Sequence, residues 1–449
     1  MHIVIGMRNW REHMIGNGEM CGAHKYPPVP MQNSSLQSEL NRMISDGGHP
    51  EDIYRNHIFP TMLSLSEREA VAEAFESLLE SMLDDVIPVT RKSMRGQYKT
   101  CGEQLLLNLS KASLVRSWLC ISGNKNNYKG DPSDVFPSFR IIDRWCSYLE
   151  SEGLITKKEG KAYTKGRMLN RYCPNQELQK LLIGFSLGLE SPISPPYQRI
   201  NDPEKSFSKF IWPHDHDERI FLESFNEFAS GNTWALKGPI IQVFKHNPFQ
   251  NGRLITAFQN LPSRKYKVRI NTLINGNKIS EVDFNANHFR LFLASQGHSY
   301  SGADPYLEIA EACGRSRPEV KGFMNIALNC QSLDQAAGAA LSEWSVPKSA
   351  STSIHKYLAY KYPDINFYSE FGLTAMQVEG LILARVLNEG MKKNIFCLPI
   401  HDAIAVESRH AEWAKRVMEE VWAELVVSFW RTRSDQPGAS TVVKINSTN

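Results

Sequence analysis

Nine residues near the C-terminus, LPIHDAIAV (398–406), constrain the fold of this chain more than any other stretch. The apolar runs IFCLPI and AIAV are typical of buried strands, and His401 and Asp402 stand at the turn between them. A charged pair buried at such a turn costs folding free energy unless it has partners. The pattern therefore predicts a strand, a turn and a strand whose acid and imidazole are kept for a function.

The length and composition are those of an ordinary globular protein with two or three domains. The chain has 449 residues, of which 42% are hydrophobic and 22% are charged. No apolar run reaches the ~18 residues needed to span a bilayer, and the N-terminus is too polar for a secretion signal. The eight cysteines form no C-x-x-C pair, which favours buried thiols in a reducing cytoplasm. We therefore expect a cytoplasmic protein with no membrane partner.

A basic segment lies in the N-terminal half. Between Arg91 and Arg171 there are 16 Lys and Arg against 7 Asp and Glu, and such an excess favours a polyanionic partner. LLLNLSKASLVRSWL and FRIIDRWCSYLESEGL have helical periodicity, while LITKKEGKAYTKGR predicts a hairpin that turns at Gly160. Helices followed by a basic hairpin resemble a winged-helix domain, which binds DNA. Four lysines of the hairpin are the candidate DNA contacts: Lys157, Lys158, Lys161 and Lys165. The alternatives are a helical domain with a solvated basic face and a protein-protein adaptor.

Composition divides the chain into five segments. We expect an irregular N-terminal segment (1–60), the winged-helix-like module (61–175), a linker rich in Pro and Ser (176–215), a mixed α+β unit (216–430) and a loose tail (431–449). Within the second segment a helix is expected to begin at Ser66, where S-E-R-E has the pattern of a capping box.

The α+β unit carries two groups of polar residues suited to phosphoryl transfer. INTLINGNKISEVDF predicts two strands joined by an Asn-Gly turn, with Asp283 at the exit of the second strand. Together with Asp402 it would clamp two Mg²⁺ ions ~3.5–4 Å apart. In GRSRPEVKGFMNIALNC, polar residues recur at every fourth position and predict one helix face suited to a triphosphate. These residues are Arg317, Lys321, Asn325 and Asn329. An exposed basic helix and an ordinary turn aspartate are the alternatives for each motif alone.

In their order along the chain these motifs resemble those of the family A polymerases and the related single-subunit RNA polymerases. D-F-N-A-N-H-F-R (283–290) resembles the first palm motif, D-Y-S-x-x-E-x-R. R-x-x-x-K (317–321) resembles the start of the fingers helix, and I-H-D (400–402) the second palm motif. GRLITAFQNLP is similar to the stretch that precedes the palm, and AMQVEGLILARVL to the helix before the His-Asp turn. The resemblance covers about residues 251–407.

The resemblance implies a right-hand polymerase fold, with an antiparallel palm sheet and helical fingers, next to the winged-helix-like module. It implies that Asp283 and Asp402 bind two Mg²⁺ ions, with Mn²⁺ as an alternative, and that Lys321 is the acid for pyrophosphate. The implied substrate-binding residues are Arg317, His288, Asn325 and Asn329. The implied nucleic-acid contacts are Arg253, Gln377, His401 and Arg290.

Three departures from the family pattern leave the choice of sugar open. His288 stands where the DNA polymerases have a Glu that excludes the ribose 2′-hydroxyl. Asn325 and Asn329 replace an aromatic residue and a Tyr, and Ala403 replaces an acid. A DNA polymerase without a proofreading exonuclease, extended by primase activity, is expected. An RNA polymerase or primase, an initiator with an inactive polymerase-like domain, and an untemplated nucleotidyltransferase are the alternatives.

The expected partners follow from the interpretation of the chain as a polymerase. They are a DNA template and primer, dNTPs with rNTPs as an alternative, and a small replication protein. A compact polymerase joined to a DNA-binding module resembles the replication proteins of phages, plasmids and other mobile elements, so a bacterial cytoplasm is the expected location.

Overall fold

A computed structural model describes nine parts of the chain. They are residues 34–46, 56–65, 69–123, 128, 135–136, 138–160, 169–201, 211–430 and 441–448. These residues form a mixed α+β structure that divides into two compact units. The N-terminal unit comprises Met1–Ile193, Thr233–Pro239 and Asn260–Gly276, and the C-terminal unit comprises Ser194–Asn232, Ile240–Gln259 and Asn277–Asn449. Within the described parts, no helix combines the length and the apolar character that a membrane crossing needs.

The N-terminal unit combines helices with a small mixed sheet. Its helices are α1 (Ser34–Ser45), α2 (Glu69–Val86), α3 (Arg95–Leu114), α4 (Phe139–Ser151) and α5 (Gln176–Ser186). Its first strands are β1 (Asn56–Ile58), β2 (Ser64–Leu65), β3 (Ser117–Ser122), β4 (Ile155–Lys158), β5 (Leu169–Pro174) and β6 (Leu189–Glu190). One sheet has the order β1, β3, β5, β4, and β2 pairs with β6. Helix α3 is the centre of this unit, because most of its side chains are buried.

Two predictions for this half are wrong, and a third is wrong for the part of its segment that the structure describes. Helix α1 and strand β1 lie in the segment 1–60 that was predicted to be irregular. The helix predicted through LLLNLSKASLVRSWL ends at Leu114, and its last three residues begin the buried strand β3. Helix α5 occupies the start of the predicted linker, where the side chain of Asn175 caps it by accepting from the Leu178 N–H at 2.8 Å. The Pro and Ser residues that suggested a linker follow this helix.

Two N-terminal predictions fall partly outside the described residues. Helix α2 is described from Glu69, so the capping box at Ser66 is not covered. The tip of the predicted basic hairpin, with Lys161 and Lys165, is not covered either. The seven cysteines within the described parts are all free thiols.

The C-terminal unit contains two sheets and eight helices within its described residues. The helices are α6 (Asp217–Ser230), α7 (Asn287–Ser295), α8 (Pro305–Cys313), α9 (Arg317–Ala327), α10 (Leu333–Trp344), α11 (Lys348–Lys361), α12 (Gly372–Lys392) and α13 (Ala411–Phe429). The strands are β7 (Gln198–Asn201), β8 (Ile241–Lys245), β9 (Arg253–Ile255), β11 (Asn277–Phe284), β12 (Leu398–Ile400), β13 (Ala403–Glu407) and β14 (Val443–Ser447). Strands β7, β8 and β9 form one sheet.

The second sheet of this unit positions the candidate site. Strands β14, β11, β13 and β12 lie side by side in that order, and each neighbouring pair is antiparallel. Helices α7 to α11 pack around a separate cluster of buried side chains that includes Phe289, Phe323 and Ile354. Helix α13 lies against β11 and β14, and α12 lies against α13 and β9. This sheet and the group of helices α7 to α11 are thus distinct parts of the C-terminal unit.

At the ends of this sheet, the predicted Asn-Gly turn is confirmed and the predicted loose tail is wrong. The chain turns at Asn275 and Gly276, with φ of 50° and 79°, between β10 (Leu273–Ile274) and β11. These positive φ values are those that an Asn-Gly turn provides. The predicted loose tail contains β14, which pairs with β11 over five residues. A strand this short is recognised only through its partner, which lies far away in the sequence.

Candidate active site

The His-Asp turn has the predicted geometry. Ile400 and Ala403 are partners in the β12–β13 ladder, so His401 and Asp402 form a two-residue turn between buried strands. His401 is exposed and has a φ of 54°, the left-handed conformation that two-residue turns require. For a residue other than glycine this conformation costs about 1–3 kcal/mol, and such strain is concentrated at functional sites.

The two predicted metal-binding acids lie next to each other. The β11–β13 register places Asp283 opposite Ala403, the residue that follows Asp402. Burial, and then the charge of Asp402, raise the pKa of Asp283 to about 8. Burial, and then the charge of Glu379, raise the pKa of Asp402 to about 6. The atom Oδ1 of Asp283 is buried and has no hydrogen-bond partner. In the metal-free protein these two carboxyl groups therefore favour their protonated forms, and a bound cation would take the place of a proton.

The donor set fits Mg²⁺. Within the described residues, no three His, Cys, Asp or Glu side chains are grouped closely enough to hold a metal alone. Mg²⁺ is commonly held by one or two carboxylates, and waters and substrate phosphates complete its coordination. Asp283 and Asp402 supply the two carboxylates, and the unpartnered Oδ1 of Asp283 is an oxygen that lacks a donor.

Helix α9 brings its first two cations to this site. Its start is fixed by a capping box between Ser316 and Glu319. The charge of Lys321 acts on Asp283 and lowers its pKa, against the larger effect of burial. Arg317 donates from Nε to Oδ2 of Asp304 at 2.9 Å. Burial raises the pKa of the Tyr306 hydroxyl most; the charge of Asp402 raises it further and that of Arg317 lowers it. Arg317 and Asp402 thus both act on one buried side chain.

The two amides predicted on the same face lie further along. Asn325 is on α9, but the helix ends at Ala327 and Asn329 lies beyond its cap. The prediction of one continuous row of four residues is therefore wrong at Asn329, which donates to the Asn325 carbonyl at 2.8 Å. A Cβ on Gly372 would lie 1.7 Å from the Asn329 side chain, so this side chain contacts the start of α12. Whether either amide contacts substrate stays a prediction.

Glu379 is a site residue that the sequence reasoning missed. It lies on α12, its side chain is 0% exposed, and its Oε1 is 2.6 Å from Nε of Arg253. Its Oε2 is 3.1 Å from Nε2 of His288. Although burial opposes ionisation, the hydrogen bond from His288 and the charge of Arg253 hold the pKa of Glu379 below its ordinary value. The sequence did contain one indication of this site residue, because an acid stands within the apolar stretch VEGLILA. His288 and Arg253, both predicted site residues, are thus joined.

Lys444 is a second residue that was missed. In the β11–β14 ladder it is the partner of Asp283, and partners lie on the same face of a sheet. Its Nζ is 3.6 Å from Oδ2 of Asp304, the atom that also accepts from Arg317. Burial opposes ionisation of Asp304, but the hydrogen bond and charge of Arg317 hold its pKa below the ordinary value. One acid therefore gathers two cations, and no local pattern in the predicted tail indicated this.

Arg290 has a structural position, so the prediction that it contacts nucleic acid is contradicted. It is buried and donates to four backbone carbonyls: from Nε to Asn285 at 2.9 Å, from Nη1 to Tyr300 at 2.9 Å, and from Nη2 to Gly302 at 2.7 Å and to Ala303 at 3.3 Å. An arginine whose donors are used in this way fixes the loop after α7. Gln377 lies on α12, two residues before Glu379, and is partly exposed. Its predicted contact with nucleic acid stays a prediction.

The basic segment of the N-terminal unit is partly neutralised within that unit. Helix α2 carries six acids and no bases. Arg95 pairs with Glu80 and Asp84 at 2.5 Å each, and Lys99 is 3.2 Å from Glu80. The excess of positive charge is therefore smaller than the sequence window suggested.

The edge strand of the sheet carries two of the predicted DNA-contacting lysines. Lys157 and Lys158 lie on β4 and are partly exposed. Lys158 is the ladder partner of Arg171, so two cations stand side by side. Lys157 is 3.4 Å from the exposed Glu159. Two adjacent cations suit an anion such as a phosphate.

Comparison with known proteins adds no relative. Of the protein-family models scanned, none matches this chain, and a search of the curated proteins gives no significant match. The side chains of the site are therefore the basis for assigning a function.

The carboxylate pair predicts a pH-dependent stability. Between the ordinary pKa of 3.8 and the raised value near 8, folded Asp283 keeps a proton that the unfolded chain releases. The free energy of unfolding of the metal-free protein should therefore fall as the pH rises through this window. We expect Asp283→Asn to raise the metal-free Tm at pH 8 by at least ~2 °C, the equivalent of about 1 kcal/mol, and to raise it by less at pH 5, which lies nearer the lower end of this window.

The measurement is thermal melting at pH 5 and pH 8, with and without Mg²⁺. Mg²⁺ should raise the Tm of the wild type at pH 8 and leave Asp283→Asn unchanged, because a ligand that binds the folded state stabilises it. Asp364→Asn, at an exposed acid of the same unit, is the matched control. An equal Tm difference at both pH values would contradict the account of this pair.

Proposed function

We propose that this protein is a template-directed nucleotidyltransferase of the kind seen in compact family A-like DNA polymerases without a proofreading exonuclease. One observation carries the proposal. Two acids, Asp283 and Asp402, meet at the ends of paired strands, and Lys321 acts on the first of them from a capped helix. This combination suits transfer of a nucleotide to a hydroxyl group.

Each group has a role in that reaction. Asp283 and Asp402 would hold the Mg²⁺ ions, which when bound activate the attacking hydroxyl and stabilise the leaving oxygen. Lys321 would donate a proton to the departing pyrophosphate, and Arg317 would bind its oxygens through a fork of N–H donors. Lys444 joins them as a third cation. Asp304 holds Arg317 and Lys444 in place before a nucleotide enters. His401, exposed at the turn, would contact the primer terminus.

Two aspects of the fold support the proposal. The sheet of β14, β11, β13 and β12 has the antiparallel character of a palm, and helices α7 to α11 form a compact group that suits fingers. In the N-terminal unit, the elements α3, β3, α4, β4 and β5 follow one another, with β5 between β3 and β4 in the sheet. That order suits a winged-helix domain, with β4 and β5 as the wing.

Ribonucleotide use is a second candidate, and His288 favours it. The imidazole stands where the DNA polymerases of the resembling family have a Glu, so a ribose 2′-hydroxyl would meet a hydrogen-bonding group. Glu379, however, places a carboxylate 3.1 Å from that imidazole. The sugar preference therefore depends on the pair, and both sugars belong in the test.

An extension assay tests the proposal. The purified protein is offered dNTPs and rNTPs separately, with Mg²⁺ or Mn²⁺, on primed and on unprimed single-stranded DNA. We expect the primed strand to grow with dNTPs in Mg²⁺. Growth on the unprimed template with rNTPs would assign primase activity as well. No extension under any of these conditions contradicts the proposal.

The basic edge of the N-terminal unit predicts a salt dependence. Replacing the adjacent pair in Lys158→Gln/Arg171→Gln should lower the slope of log K against log salt for duplex DNA by up to ~1.8, since each phosphate contact contributes ~0.9. Binding is followed by fluorescence anisotropy between 50 and 200 mM salt. Lys180→Gln, at an exposed lysine of α5, should leave the slope unchanged. An unchanged slope for the double variant would indicate an adaptor role for this unit.

A further inference from the structure

Glu379 is a fully buried charge that the reaction outlined above does not use. An ionised carboxylate inside a protein is strongly destabilising unless it is paired and hydrogen-bonded. Here Oε1 is ion-paired, 2.6 Å from Nε of Arg253 but without the angle of a hydrogen bond, and Oε2 lies 3.1 Å from Nε2 of His288, within hydrogen-bond distance. Oε2 also accepts from Nδ2 of Asn287 at 3.3 Å. The carboxylate is therefore the centre of a small buried network.

The two partners of this carboxylate are partly exposed, although the carboxylate itself is buried. The side chains of Arg253 and His288 are 25% and 21% exposed, whereas that of Glu379 is 0% exposed. Nη2 of Arg253 is also 3.3 Å from Nε2 of His288, so the three side chains contact one another pairwise. The charges of all three act on Asp402. The network therefore presents two polar groups near the catalytic turn and supports them from behind.

The backbone is arranged to make this contact possible. A Cβ on Gly380 would lie only 2.4 Å from the carbonyl oxygen of Gly252. Helix α12 therefore approaches the chain closely at the residue before Arg253, and only a glycine fits there. On the other side, Nε1 of Trp422 donates to Oδ1 of Asn287 at 3.0 Å, which leaves the amide of Asn287 directed at Glu379.

We propose that Glu379 is a positioning residue that holds Arg253 and His288 as one unit, so that pairing at the primer terminus and the choice of sugar are coupled. The proposal rests on the proposed function, in which Arg253 meets the primer terminus and His288 meets the sugar. When a mispaired terminus displaces Arg253, the shared carboxylate transmits the change to His288. A carboxylate supplied from α12 thereby acts at a position where the resembling polymerases carry their own Glu on the helix of His288.

Glu379→Gln is the test, because it keeps the shape of the side chain and removes its charge. Two ratios of kcat/KM are measured for single-nucleotide incorporation. The first compares dNTP with rNTP opposite one template base, and the second compares matched with mismatched primer termini. We expect both ratios to change together by at least ~10-fold, the equivalent of ~1.4 kcal/mol in the transition state. A merely structural role would lower activity for all substrates equally and leave both ratios unchanged.

Two further variants complete the design. Glu389→Gln makes the same change on the same helix at a partly exposed acid that pairs with Arg385 and Lys392, and it should alter neither ratio. Glu379→Asp keeps the charge but shortens the side chain, so that it can no longer reach both partners. It should shift both ratios in the direction of Glu379→Gln, and it replaces that variant if the loss of charge prevents folding.

The outcomes separate this proposal from the assigned function. A wild-type protein that incorporates nucleotides, with both ratios unchanged in the Glu379 variants, overturns the positioning role and leaves the polymerase assignment standing. A change in one ratio alone overturns the coupling. A wild-type protein that incorporates no nucleotide overturns the polymerase assignment and this proposal with it.

Discussion

Asp402→Asn should reduce nucleotide incorporation by at least ~10³-fold, because it removes one of the two charges that hold the metal ions. Metal ions stabilise transition-state charge by several kcal/mol, and each 1.36 kcal/mol corresponds to a factor of ten in rate. Asparagine keeps the shape of the side chain, and Asp402 lies in a turn rather than in the hydrophobic core. Folding and DNA affinity should therefore change little. Asp283→Asn should have the same effect on rate.

Single-turnover incorporation and thermal melting check this prediction side by side. Asp364→Asn is the control for loss of one exposed acid, and it should retain the wild-type rate. An Asp402→Asn protein that incorporates nucleotides within a few-fold of the wild type would exclude Asp402 as a metal ligand.

Lys321→Met should reduce kcat by about 10²–10⁴-fold, the range typical for loss of a positioned general acid. The substitution keeps the apolar length of the side chain and removes the charge that acts on Asp283. The KM for the nucleotide should rise less, because Arg317 and Lys444 remain to bind the triphosphate. Lys356→Met, at an exposed lysine of α11, should leave both constants unchanged.

Pre-steady-state kinetics separate the two constants. A variant whose KM rises while kcat stays at the wild-type value would show that Lys321 only binds the nucleotide. That result would exclude Lys321 as the proton donor. It would leave the proposed metal site at Asp283 and Asp402 unaffected.

Local patterns in the sequence were sufficient for the elements that hold the acids. The hairpin around Asp402 follows from two apolar runs and a two-residue turn, and the helix that carries Lys321 follows from polar residues at every fourth position. These features depend on neighbours within a few residues. The placement of Asp283 beside Asp402 required one more assumption, that the two strands pair.

Residues that act through distant contacts were not predictable. Glu379 has the sequence appearance of an ordinary helical acid, and only the packing of α12 against Gly252 reveals its partners. Lys444 has a role because β14 pairs with a strand about 160 residues earlier. Arg290 matched a motif, yet its guanidinium is used by backbone carbonyls of the loop that follows.

Charge counted along the sequence was also misleading. The window from Arg91 to Arg171 omits helix α2, whose acids pair with Arg95 and Lys99. Charge that is neutralised by neighbours inside a unit contributes little to the electrostatic attraction of a polyanionic partner. The partly exposed lysines of β4 are a better basis for the proposed nucleic-acid contact than the total charge of the window.

Single-nucleotide incorporation on a primed DNA template, with each of the four template bases in turn, tests the central claim most directly. The account predicts that, in Mg²⁺, wild-type protein adds the complementary nucleotide opposite each base and that Asp402→Asn adds none. Addition that ignores the template base, or the absence of any addition by the wild type, would contradict it.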